Sequence, residues 1–134
     1  MAEQTPEWGA TLERTTDGAG GRLMTTRAFE GERGVIVRVA GEISGQSRDE
    51  LAGLLVAAVE RWPLLVVDLT GVNYLGVAGL GAIVFADRHA RERGHGVRVV
   101  ASSAATMALL SRVPRSLGLA VFRSMIDALT VSVR

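Results

Sequence analysis

The chain has 134 residues, enough to enclose one hydrophobic core and too few for two ordinary domains. Its formal net charge is +1 with 22% charged residues, so the totals show neither the basic excess of a nucleic-acid binder nor a solvating acidic tail. All fifteen basic residues are arginine and there is no cysteine, which excludes a Schiff-base or phosphate-loop lysine, a thiol nucleophile, a thiolate metal site and a disulfide framework.

The longest apolar runs fall short of the roughly 20 residues that a membrane span needs, and the amino end lacks a basic, apolar, cleavable signal pattern. A cytoplasmic protein is expected, with neither membrane nor nucleic acid as a partner. Residues 1–21 are polar apart from a few side chains such as Trp8 and Leu12 and are expected to form a flexible tail, leaving residues 22–134 as the domain. Trp8 is the odd residue there, either a partner anchor or an idle tail residue.

Leu23 to Phe29 reads as a first strand, and Val35 to Ala40 as a second in which Val35, Val37 and Val39 alternate against Ile36, Arg38 and Ala40. Glu30 to Gly34 between them has the length of a hairpin turn. Gly41 to Gln46 is expected to leave the strand as a loop. Ser47-Arg48-Asp49-Glu50 then has the spacing of a capping box, opening a helix with Leu51, Leu54, Leu55, Ala58, Val59 and Trp62 on one stripe. Pro63 ends it.

Leu64 to Leu69 is a continuous apolar run interrupted only by Asp68, as suits a strand covered on both faces, with Gly71 marking its expected end. Gly76, Gly79 and Gly81 allow close backbone approach where a second helix opens, from about Ala78 to Arg93, with Gly94 placed to stop it. Val97 to Ala101 is the next strand. Ser102 or Ser103 can cap a third helix through Arg112, Leu117 to Phe122 is a short last strand, and Ser124 starts a final helix carrying Ala128, Leu129 and Val131. Strands linked by helices in this order specify an α/β fold: a mostly parallel sheet of about five strands with four helices, the first strand antiparallel.

From Leu75 to Ala86 the chain has no hydroxyl, thiol, imidazole or carboxylate, so this turn offers amide groups and small side chains rather than catalysis. No Gly-x-Ser-x-Gly turn or Lys-Ser/Thr phosphate loop occurs. His89 and His95 lack nearby ligands of metal-site spacing, and with Arg88, Arg91, Arg93 and Arg98 they read as a solvated basic helix end. Neither an enzymatic activity nor a cofactor or metal is expected.

With these elements placed, Gly41-Glu42-Ile43, Val67-Asp68-Leu69-Thr70-Gly71-Val72 with Tyr74-Leu75, Gly79-Leu80-Gly81, and Leu117-Gly118-Leu119 with Phe122 stand in an order that resembles the STAS domains of bacterial anti-sigma factor antagonists. The resemblance covers about Leu23 to the carboxyl end. It implies a regulatory binding module in the partner-switching control of transcription. Its partner would be an anti-sigma factor that is also a histidine-kinase-like serine kinase, met as a monomer or weak dimer through Ser44, Gly76, Val77, Ala78, Gly79 and Leu80.

In that family a serine at the mouth of the second helix is phosphorylated within Asp-Ser-Ser-Gly-Leu-Gly, which breaks the complex. Here Gly76-Val77-Ala78-Gly79-Leu80-Gly81 occupies those places, so Val77 stands at the acceptor position without an atom to accept phosphate. Where the family tends to have an aspartate after Gly-Glu-Ile, this chain has Ser44. Ser44 is the alternative acceptor, although a loop serine is better read as a turn hydroxyl bonding its own backbone. Two other functions fit the same fold: a scaffold subunit assembling with other STAS proteins, and a sensor of a small ligand or anion at the second helix's amino end.

Overall fold

The computed structural model describes residues 9–17 and 23–130. Its elements in order are β1 (Gly9–Asp17), β2 (Leu23–Glu30), β3 (Gly34–Ile43), α1 (Arg48–Arg61), β4 (Leu64–Leu75), α2 (Val77–Arg91), β5 (Gly96–Val100), α3 (Ala104–Leu110), a 3-10 turn (Arg115–Leu117), β6 (Ala120–Phe122) and α4 (Met125–Thr130). The strands lie side by side in chain order from β1 to β6. β2 runs antiparallel to β3, and β3 to β6 are parallel neighbours. The five expected strands are β2 to β6.

β1 is a sixth strand, antiparallel to β2 on the sheet edge from Gly9↔Glu30 to Asp17↔Leu23. It falls inside the stretch expected as a tail, so that expectation is corrected for Gly9–Asp17. An edge strand can be held by ladder hydrogen bonds to its neighbour, so a low apolar content does not exclude one. Trp8, with residues 1–8 and 18–22, lies outside the described residues, as does Val131.

The period of two along the strands divides the sheet into two faces. Val35, Val37, Val39, Leu65, Val67, Leu69, Val97 and Val99 join one core with Leu51, Leu55 and Val59 of α1, Ala82, Ile83 and Ala86 of α2 and Leu110 of α3. On the other face Ile36, Val66 and Val100 meet Ala128 of α4, with Phe29, Phe122 and Met125 packed around them. This explains why β4 is apolar from Leu64 to Leu69 at every position but Asp68.

Four local expectations are corrected. Leu54 and Trp62 are half-buried flanks of the α1 stripe, whose centre is Leu51, Leu55, Ala58 and Val59. The Ser47 side chain makes no cap bond into α1. Its hydroxyl instead accepts the Ser44 N–H at 3.1 Å and faces the Ser44 carbonyl at 3.3 Å, because the preceding turn folds back within closer reach. Gly41, Glu42 and Ile43 belong to β3 rather than to a loop, and β4 continues through Gly71 to Leu75.

The reason for that last extension lies in the pairing. β4 carries one extra residue between Asp68 and Gly71 and another between Val72 and Tyr74 relative to β3, which makes two bulges rather than a strand end. A Cβ on Gly71 would lie 3.1 Å from that of Ala40, so glycine serves close strand approach here instead of a turn. Asp68 fixes the first bulge: its carboxylate accepts the Thr70 N–H at 2.9 Å, the Thr70 hydroxyl at 2.7 Å and the Arg38 Nε–H at 3.1 Å.

The far end of α2 is tied down by a buried carboxylate. Asp87 accepts the Arg91 Nε–H at 3.0 Å, and Arg91 also donates to the Gly118 carbonyl at 2.7 Å. Loss of water raises the Asp87 pKa above 3.8, with the Arg91 hydrogen bond and charge pulling the other way. The folded state therefore holds this proton more tightly than the unfolded chain, and the ionisation penalty is present above the folded pKa and relieved as pH falls through it. Asp87→Asn should gain stability relative to the parent as pH rises from the acid range just above 3.8 toward neutrality; urea unfolding of both at several pH values measures it. An unchanged difference across that range would show that ionised Asp87 carries no burial penalty.

Candidate functional site

The two bulges deliver the ends of β3 and β4 to one rim. Ile43 pairs with Leu75 as the last rung, and the Gly76 N–H donates to the Ile43 carbonyl at 3.1 Å, so α2 starts directly beside the turn that holds Ser44. Ser44 and the start of α2 at Gly76 therefore lie on the same rim. The Ser44 hydroxyl accepts the Gln46 N–H at 3.3 Å, which is the turn-forming role preferred for it.

Within this rim each small residue has a separate task. Gly76 is the N-cap of α2 in extended conformation and is buried. Gly79 is buried against the strand ends: an added Cβ would stand 2.5 Å from Ile43 Cγ2 and 2.7 Å from Leu75 Cδ1. Ala78 and Leu80 are half-buried. Gly81, by contrast, has open space where its Cβ would be, so the close approach expected of it is absent. Gly79→Ala should cost about 1–3 kcal/mol by overpacking this junction. A chemical-denaturation midpoint that does not move would show that Ile43 and Leu75 yield freely.

Because Gly79 draws α2 down onto the strands, its neighbour Val77 is pushed outward. Val77 is 71% exposed and Tyr74, on the last bulge, 54% exposed. Between them and α3 runs a groove of about 420 Å³, walled by Asn73, Tyr74, Val77, Thr106, Leu109 and Arg112 among others. The α3 side of this groove is separated from α2 in the chain by β5 and carries none of the motif residues. Ser103 orients that side, its hydroxyl accepting the Thr106 N–H at 3.1 Å as an N-cap. Tyr74 was legible in the motif containing Leu75; Arg112 was visible only as the end of a helix.

His89, Arg93, His95 and Arg98 are engaged elsewhere. His89 lies 3.0 Å from Glu60, Arg93 3.5 Å from the same carboxylate, and His95 Nδ1 2.6 Å from the Val59 carbonyl. Arg98 is buried and donates to the Ala128 carbonyl beneath Phe122. These contacts fasten α1, α2, β5 and α4 to one another. Among the described residues no group of three or more His, Asp or Glu is placed to hold a metal ion, and no helix is long and apolar enough to cross a membrane.

Comparison with known proteins gives the fold its family. No curated protein matches the chain. The crystal structure of an anti-sigma factor antagonist from Mycobacterium paratuberculosis is 28% identical, aligning 80% of this chain with 92% of that one at a TM-score of 0.70. The anti-sigma factor antagonist SpoIIAA in its unphosphorylated form aligns 78% of this chain with 93% of its own at 10% identity and a TM-score of 0.62. The Bacillus cell fate determinant SpoIIAA in its phosphorylated form aligns 78% of this chain with 96% of its own at 10% identity and a TM-score of 0.61; at that identity both share the fold alone. The family described as "Mlab, STAS domain" matches residues 26–119, which run from within β2 to just beyond the 3-10 turn and include the whole rim. The chain therefore belongs to the STAS domain family.

Proposed function

We propose that this STAS domain is a regulatory binding module and not an enzyme, docking an anti-sigma factor with serine-kinase character through the rim formed by Ser44 and Gly76 to Leu80. The observation that carries the reading is the outward presentation of Val77 and Tyr74 beside a groove, on a helix start anchored by Gly79. Large apolar side chains held in water on a rigid junction favour a surface that is covered by another protein. The 28% identical antagonist from Mycobacterium paratuberculosis supports the choice of partner class.

Under this reading Val77 removes the switch without removing the surface. A phosphate would bring about two negative charges into the contact, and valine cannot receive it, so the module stays in its binding form wherever a kinase acts on related chains. Incubating the chain with its partner kinase and ATP should leave the complex intact and label none of Gly76 to Leu80. Phosphate on Ser44 would show instead that the acceptor has moved across the rim. The same absence of a switch suits a scaffold subunit that assembles with other STAS proteins; identification of the bound protein, kinase or STAS chain, separates the two.

A further inference from the structure

We infer that the groove between the start of α2 and α3 receives an acidic, apolar segment of the protein partner, with a carboxylate of that segment paired to Arg112 and an apolar side chain lodged between Tyr74 and Leu109. This rests on the reading of the rim as a protein-docking surface and adds the chemistry of the segment that enters it.

Charge is the first argument. Among the described residues Arg112 is the one charged residue lining the groove, and no carboxylate accompanies it there. Its guanidinium, exposed in the turn after α3, has no ion-pair or hydrogen-bond partner among the described residues. Arg91 and Arg98, by comparison, are committed to Asp87 and to the Ala128 carbonyl. A guanidinium on the wall of a partly enclosed groove recognises a carboxylate through its planar donor fork, and it does so more strongly once water is displaced.

Shape supplies the second. The groove, at about 420 Å³, falls within the range of sites that enclose an organic group. Its remaining wall includes Tyr74, Val77, Ala108 and Leu109, with Asn73 and Thr106 as polar members. Val77 and Tyr74 stand at the mouth with most of their surface in water. A small molecule inside the groove would leave them wet, whereas a chain segment crossing the mouth covers both while inserting its side chains.

The test places p-benzoylphenylalanine at Ala108 on the groove wall, at Val77 on the rim, and at Phe85 on an exposed part of α2 outside the groove, each in the whole chain in its native cell. Irradiation and mass spectrometry identify the crosslinked segment. Peptides of that segment, with carboxylates intact or converted to amides, are then titrated against the parent chain, Arg112→Ala and Arg112→Glu. The expected result is an Ala108 crosslink to a segment with a carboxylate near an apolar residue. Arg112→Glu should weaken binding by roughly tenfold or more, and amidation of the peptide should produce a similar loss that vanishes in Arg112→Ala. Thermal melts confirm that the variants remain folded.

A basic or carboxylate-free segment, an affinity within about twofold of the parent in Arg112→Glu, or a crosslink from Ala108 to a second copy of this chain overturns the inference. If Val77 crosslinks a protein whose affinity does not depend on Arg112, only the acidic assignment fails. Crosslinks confined to Phe85, or none from any position, overturn the docking reading together with the inference.

Discussion

Val77→Asp should weaken the complex with the partner by about tenfold to a hundredfold, roughly 1.4 to 2.8 kcal/mol, while leaving the domain as stable as before. The two effects separate because one residue experiences two environments. In the free domain Val77 is 71% exposed and opens α2, where a carboxylate is solvated and lies at the favourable end of the helix dipole. In the complex the same carboxylate would be stripped of water against an apolar contact with nothing to compensate it. Calorimetric titration against the identified partner, together with a denaturation curve, measures both quantities. Unchanged affinity would place Val77 outside the interface and end the proposed function.

Val77→Ser is the constructive counterpart. It supplies the missing acceptor atom on an otherwise retained helix start, so incubation with the kinase and ATP should phosphorylate it and release the partner. Pairing it with Gly76→Asp is less informative, since a Cβ on Gly76 would come within 3.2 Å of the Tyr74 ring and hydroxyl. A serine that is phosphorylated without loss of binding would mean that charge at this position is tolerated by the interface.

The largest effect on folding is expected from Leu55→Ala, at about 2–5 kcal/mol. Leu55 is fully buried in the core that α1 shares with Val67 of β4, and truncation there leaves a cavity that packed neighbours fill only in part. Leu54→Ala, one position away, should cost under about half as much, because Leu54 is only partly buried. Urea titration of both variants tests the helix phase directly. Equal losses would mean that α1 presents a different face to the sheet.

Much of the fold was legible in residue patterns. The alternation in Val35 to Ala40, the apolar run from Leu64 to Leu69 and the helical stripe after Ser47 each state a period, and periods are local properties that tertiary packing here reinforces. What local pattern misjudged was the meaning of special residues. Gly71 looked like punctuation but permits a bulge against Ala40, Ser47 looked like a cap but closes a turn with Ser44, and the threonine-rich Gly9–Asp17 looked like a tail but pairs with β2. For Gly71 and for Gly9–Asp17 the partner that gives the segment its role lies on another strand.

The site divides along the same line. The sequence by itself determined that Leu75 to Ala86 carries no hydroxyl, thiol, imidazole or carboxylate and that Val77 has no atom to accept phosphate, because residue identity alone settles which atoms are available. The tertiary structure decided that Val77 faces water while Gly79 is pinned against Ile43 and Leu75. It also decided that Tyr74 is turned outward at a bulge and that Arg112 reaches the same groove from α3. Those facts depend on how β3, β4, α2 and α3 converge in space, and convergence of segments distant in the chain is fixed by packing of the common core rather than by any one segment's residues.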